Sequence, residues 1–109
     1  MGLFISKVAT PDIFLNGMAL RKQPKWVRND KALVMTCVED CGLALQYASA
    51  KLRADPEIIW AAIKHDPDAL QYVNPKVWKN YDSAYYLVSC DKKLIDCVDK
   101  TIRDRMLNV

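Results

Sequence analysis

Four cysteines and one histidine are the residues of this 109-residue chain best equipped for chemistry. Cys37 and Cys41 stand about one helical turn apart, and Cys90 and Cys97 about two, so a four-thiolate zinc site is the first arrangement to test. Zinc demands four sulfur atoms at about 2.3 Å. Catalysis by a Cys–His–acid set would need His65 beside a thiol far from it in sequence, and no Ser or Cys sits in a nucleophile motif. Three glycines in the whole chain leave little room for a phosphate-cradling loop. The acids Asp66 and Asp68 flank Pro67, where turn formation and helix capping already use them. These counts argue against an enzyme, a resident metal or a cofactor.

Binding chemistry is better represented. Arg21, Lys22, Lys25, Arg28 and Lys31 form a basic run with Trp26 inside it, opposed locally only by Asp30. Cations interleaved with an aromatic ring can neutralise phosphates and stack on bases, and they equally suit an acidic protein surface. The formal charge of +3 is mild for a dedicated nucleic-acid binder. Nucleic acid is therefore the second expectation, behind a protein partner.

Half of the residues are hydrophobic (51%) and 27% are charged, the balance of one soluble globular domain. No apolar run approaches the ~20 residues of a membrane-spanning helix. The first residues lack the ordered parts of a secretory signal, so the cysteines are expected to be free thiols in a cytoplasmic setting, that of a host cell included. Met1 to Ser6 fit the loose pattern for myristoylation at Gly2, with an apolar end cap as the plainer reading.

What must position all these residues is a repeat. Residues 30–54 and 55–79 superpose at an offset of 25: Asp30 on Asp55, Ala44-Leu45-Gln46-Tyr47 on Ala69-Leu70-Gln71-Tyr72, Lys51 on Lys76. Apolar character also coincides at Leu33/Ile58, Val34/Ile59, Val38/Ile63 and Leu52/Val77. A fixed period of this size marks stacked supersecondary units. The expected fold is a single all-α domain of short stacked helical repeats, a small α-solenoid-like unit. Its parts are a degenerate N-terminal repeat (1–29), repeats at 30–54 and 55–79, and a degenerate C-terminal repeat with a cap helix (80–109).

Within each repeat an Asp opens the first helix and Gly42 or Asp66-Pro67 ends it. A shorter helix follows, over Leu43 to Ala48 in the first full copy. Ser49 and Asn74-Pro75 start a closing turn. In the N-terminal copy, Thr10-Pro11-Asp12 reads as a helix start, and Pro24 reads as an interruption of the second helix. Residues 91–106 read as one longer helix with Leu94, Ile95, Val98, Ile102 and Met106 inward, because Lys92-Lys93 replaces the turn proline.

The register decides the metal question. Cys37 falls on the core position of Ala62 and Leu87, and the cysteine pairs lie about two layers apart, on the order of 20 Å. Buried free thiols are expected. The same register aligns Met35, Trp60 and Tyr85 to one side of the apolar stripe. Such a row is either a set of anchors for a protein partner or the filling between neighbouring layers.

Asp30, Leu33-Val34, Gly42, the stretch Ala44 to Ser49, and Leu52-Arg53-Ala54-Asp55 together resemble the tandem repeats of the domain of unknown function 4116 family, over about residues 27–79. That resemblance implies a short α-helical repeat with no assigned catalytic residue, in a family of protist, bacterial-effector and viral proteins. The expected role is a non-catalytic protein–protein interaction module, a small inhibitor or effector. Met35, Trp60, Tyr85, Arg21, Lys22, Lys25, Trp26, Arg28 and Lys31 are its candidate contacts.

Overall fold

The computed structural model describes residues 17–107, and among them every regular element is helical. The α-helices are α1 (Lys25–Arg28), α2 (Lys31–Asp40), α3 (Pro56–His65), α4 (Tyr81–Cys90) and α5 (Lys100–Leu107). The 3-10 helices are η1 (Gly17–Lys22), η2 (Gly42–Tyr47), η3 (Leu52–Ala54), η4 (Pro67–Tyr72), η5 (Pro75–Lys79) and η6 (Lys92–Cys97). The expected myristoylation site and the Thr10-Pro11-Asp12 helix start lie outside the described residues.

Helices α2, α3 and α4 begin 25 residues apart, as do η2, η4 and η6. Their N-caps do the same chemistry: Asp30 accepts from Leu33 N, Asp55 from Glu57 N and Ile58 N, and Asn80 from Ser83 N. Each satisfies a backbone donor that the first turn leaves free. The junction residues Cys41, Asp66 and Asp91 share one extended conformation, with φ near −147° and ψ of 109°, 101° and 110°. Successive units are tied by one recurring backbone bond: Ser49 N to Arg28 O, Asn74 N to Arg53 O and Asp99 N to Trp78 O, at 2.8, 2.8 and 3.0 Å.

Helix α2 packs on α3 and α3 on α4, while η1, η2 and η4 form a second layer. Val34, Cys37 and Val38 of α2 and Ile58, Ile59, Ala62 and Ile63 of α3 are buried, with Leu20, Leu45 and Leu87 among the largest side chains sealed in the core.

One local expectation is refined and two are corrected. Residues 42–47 form a 3-10 helix, because only six residues lie between two extended junctions and tight i to i+3 bonding suits so short a piece. Pro24 does not interrupt a helix: η1 ends before it, and Pro24 in extended conformation opens α1. Residues 91–106 are not one helix. Asp91 caps Lys93 N, the chain turns extended at Val98, and Asp99 caps Thr101 N at the start of α5. Aspartate takes over there the turn that Asp66-Pro67 makes one unit earlier.

Gly42 lies inside η2 with no positive φ. Its necessity is steric: a Cβ would collide with the Ala62 carbonyl oxygen of α3 and come within 2.8 Å of Asp66 Cβ. Gly17 stands in the same relation to the carbonyl of Cys37. Glycine at this register lets η1 and η2 each lie directly on the next unit's helix.

Candidate binding clefts

The register of Gly17 and Gly42 continues with Pro67 and Lys92, and that of Ala19, Ala44 and Ala69 continues with Leu94. Both changes enlarge residues at the seam between α3–η4 and α4–η6. Helix α2 packs closely on η1, and α3 on η2; α4 makes far thinner contact with η4, and η6 stands off η4 as well. A crevice of about 390 Å³ results, lined by Trp60, Ile63, Pro67, Leu70, Asp91 and Leu94, with Lys64 on its edge. Ala44, Leu45 and Ala69 are fully buried, whereas Leu70 is 36% exposed.

A cleft of about 370 Å³ repeats this site one unit later. Tyr85, Val88, Lys92 and Ile95 stand where Trp60, Ile63, Pro67 and Leu70 stood, and Met106 and Leu107 of α5 complete its wall. Nearby, Arg105 lies 4.7 Å from the centroid of the Tyr81 ring, which stacks on Tyr85 at 6.0 Å.

The row of Met35, Trp60 and Tyr85 is therefore graded rather than uniform. Met35 and Trp60 are half-buried and pack against the core, and Tyr85 is 57% exposed. Trp60 and Tyr85 line separate clefts. Leu70, Pro67, Leu94 and Asp91 escaped the reading of the sequence. For Pro67 and Leu94 the signal was present in side-chain size along the registers of Gly42 and Ala44.

The basic run is divided. Lys31 reaches across to the next unit, where its Nζ lies 2.9 Å from Glu57 Oε1 and 3.1 Å from Asp55 Oδ2. Glu57 first, then Asp55, hold its ammonium pKa above the ordinary lysine value. The local opposition to this run thus includes two carboxylates that are distant in sequence. Arg21 and Lys22 are exposed at the end of η1. Lys25, Trp26 and Arg28 line a concavity of about 550 Å³ together with Asn29, Tyr47 and Ser49.

The thiols are free, and the Cys37 thiol is buried. Burial, with Asp40 nearby, pushes its pKa up to about 11. Burial also raises the Cys97 thiol. His65 is exposed at the last residue of α3. Among the described residues no three His, Cys, Asp or Glu side chains gather in a way that could hold a metal ion. No described helix is long and apolar enough to cross a membrane.

Fold and clefts define an all-α protein of short helical units with concave seams between them. Residues 30–78 match the family described as Domain of unknown function (DUF4116), which bears out the resemblance over that stretch. No curated protein and no solved structure matches the chain.

Proposed function

We propose that this chain is a non-catalytic binding module that docks on another protein through the crevice between Trp60 and Leu94. The observation that carries this reading is the opening of one seam, which leaves Leu70 partly exposed beside Trp60 where the equivalent Leu45 is sealed. Half-buried aromatic and aliphatic side chains held on a rigid frame are the usual anchors of a protein interface. The chain itself supplies a template for the occupant. One unit on, the equivalent cleft is walled by Met106 and Leu107 from the end of a helix. The partner segment is accordingly a helix that places Leu or Met in the crevice, with Lys64 and Asp91 at the edge to orient its polar side.

The non-catalytic reading draws support from the thiols. A buried thiol with a pKa near 11 is protonated at neutral pH, and the thiolate is the reactive form.

The test is affinity capture of partners from host cells with the wild-type chain, Leu70→Asp and Trp60→Ala in parallel. A protein retained by the wild type and lost with both variants supports the reading. Retention of the same proteins by Leu70→Asp sinks it.

A further inference from the structure

A second concavity lies at the seam between the first two units, remote in register from the crevice. It is lined by Lys25, Trp26, Arg28, Asn29, Tyr47 and Ser49, and no carboxylate is among its lining residues. One unit further on, Arg53 occupies the register of Arg28, and its guanidinium makes two hydrogen bonds. Its Nε donates to Ala48 O at 3.3 Å and one terminal nitrogen donates to Tyr72 O at 3.5 Å. Arg28 differs: its Nε is buried with no hydrogen-bond partner among the described residues. A charged donor in that position bears its desolvation penalty until an acceptor arrives. Trp26, 45% exposed, lines the same concavity. Asn29 Oδ1 accepts from Ser49 Oγ at 2.7 Å, which leaves the Asn29 amide as a donor.

We infer that this concavity binds a nucleotide unit of single-stranded nucleic acid. The phosphates on either side of the nucleotide meet Arg28 and Lys25, one each, the base stacks on Trp26 beside Tyr47, and Asn29 donates to the base edge. A cationic groove with aromatic faces is the general recipe for such strands. An acidic peptide would account for the two cations and leave both rings without a role. With Lys31 bound to Asp55 and Glu57, two cations serve two phosphates, so the interaction is modest in strength and in salt dependence. At about 0.7 per phosphate contact on a single strand, the log–log salt slope is about −1.4.

The experiment is fluorescence anisotropy of a labelled oligothymidylate of about ten nucleotides, titrated with the full chain between about 50 and 200 mM salt. Trp26→Ala weakens binding by about fivefold or more, and Trp26→Tyr restores most of it. Arg28→Gln brings the slope to about −0.7. Lys25→Gln, at an exposed site that the fold does not depend on, does the same. Circular dichroism confirms that each variant is folded. Absence of binding at the lower salt overturns the proposal, as does binding indifferent to Trp26→Ala. Tighter, Trp26-dependent binding of polyglutamate overturns it in favour of an acidic protein. The crevice is untouched by these variants, so failure here leaves docking at Trp60 standing.

Discussion

Leu45 and Leu70 hold the fourth position of the equivalent 3-10 helices η2 and η4, 25 residues apart, yet Leu45 is fully buried and Leu70 lies partly exposed on a crevice. Their shared register comes from the repeat; their different surroundings come from what the next unit places above them. Over Leu45 lies a unit admitted by Gly42. Beside Leu70, Pro67 and Leu94 hold the next unit away.

Truncation should separate the two sites. Leu45→Ala is expected to cost about 2 to 5 kcal/mol, the range for an aliphatic side chain removed from a sealed core. Leu70→Ala should stay within about 1 kcal/mol, as changes at partly exposed positions do. Urea unfolding of both variants measures the difference, and equal losses would contradict the open seam.

Gly42→Ala is expected to destabilise by about 1 to 3 kcal/mol, because the added Cβ meets the backbone of Ala62 rather than a side chain that can turn aside. In an unobstructed helix the same change stabilises by up to about 1 kcal/mol, so the sign of the shift in urea midpoint decides. Pro67→Ala, at the same register, already has a Cβ in place and should cost no more than about 1 kcal/mol.

Asp55 has two duties, capping α3 and pairing with Lys31. Asp55→Ala loses both and is expected to cost about 1 to 2 kcal/mol, most of it from the cap. Asp55→Asn keeps an acceptor at the cap and loses only an exposed ion pair, so it should cost under about 1 kcal/mol. Thermal unfolding resolves these, since 1 kcal/mol moves Tm by about 4 to 8 °C in a domain of this size.

Alkaline pH should weaken the fold through Cys37. Its thiol titrates near 9.0 when unfolded and at about 11 when folded. Below pH 9 both states hold the proton and the contribution is complete. Between pH 9 and 11 the unfolded chain releases a proton that the folded chain retains, so stability falls as pH rises. At about 1.4 kcal/mol per pH unit the loss is on the order of 2 to 3 kcal/mol. Denaturant midpoints at pH 8, 9.5 and 11 should track this fall, and Cys37→Ala should flatten it. The raised pKa of Lys31 acts in the same direction as pH rises past its ordinary value of 10.5.

The helices that open each unit were legible in the sequence because caps and apolar stripes are local signals. Asp30 and Asp55 announce their helices, and Val34, Cys37 and Val38 declare a buried face. The 3-10 form of residues 42–47 was not legible, since a six-residue apolar stretch reads as helix of either pitch. The break at Val98 was missed because Lys92-Lys93 stands where the turn proline stood, while Asp91 and Asp99 make their turns by capping. The clefts were half legible. Trp60, Tyr85, Lys25, Trp26 and Arg28 stood out by type, but Leu70 and Tyr47 look like core residues until the layer above them is placed. Lys31 looked free because its carboxylate partners lie 24 and 26 residues away, across a seam.

The thin seam between η4 and the unit above it also has a mechanical consequence. Among the described residues the main contacts join adjacent units, so a pull on the structure is expected to part it first where that packing is thinnest, along a built-in line of fracture. The block from Tyr81 onward should peel away as one piece while the earlier units stay shut. Native-state hydrogen exchange would show it as amides of residues 81–107 exchanging together, ahead of those in 31–72.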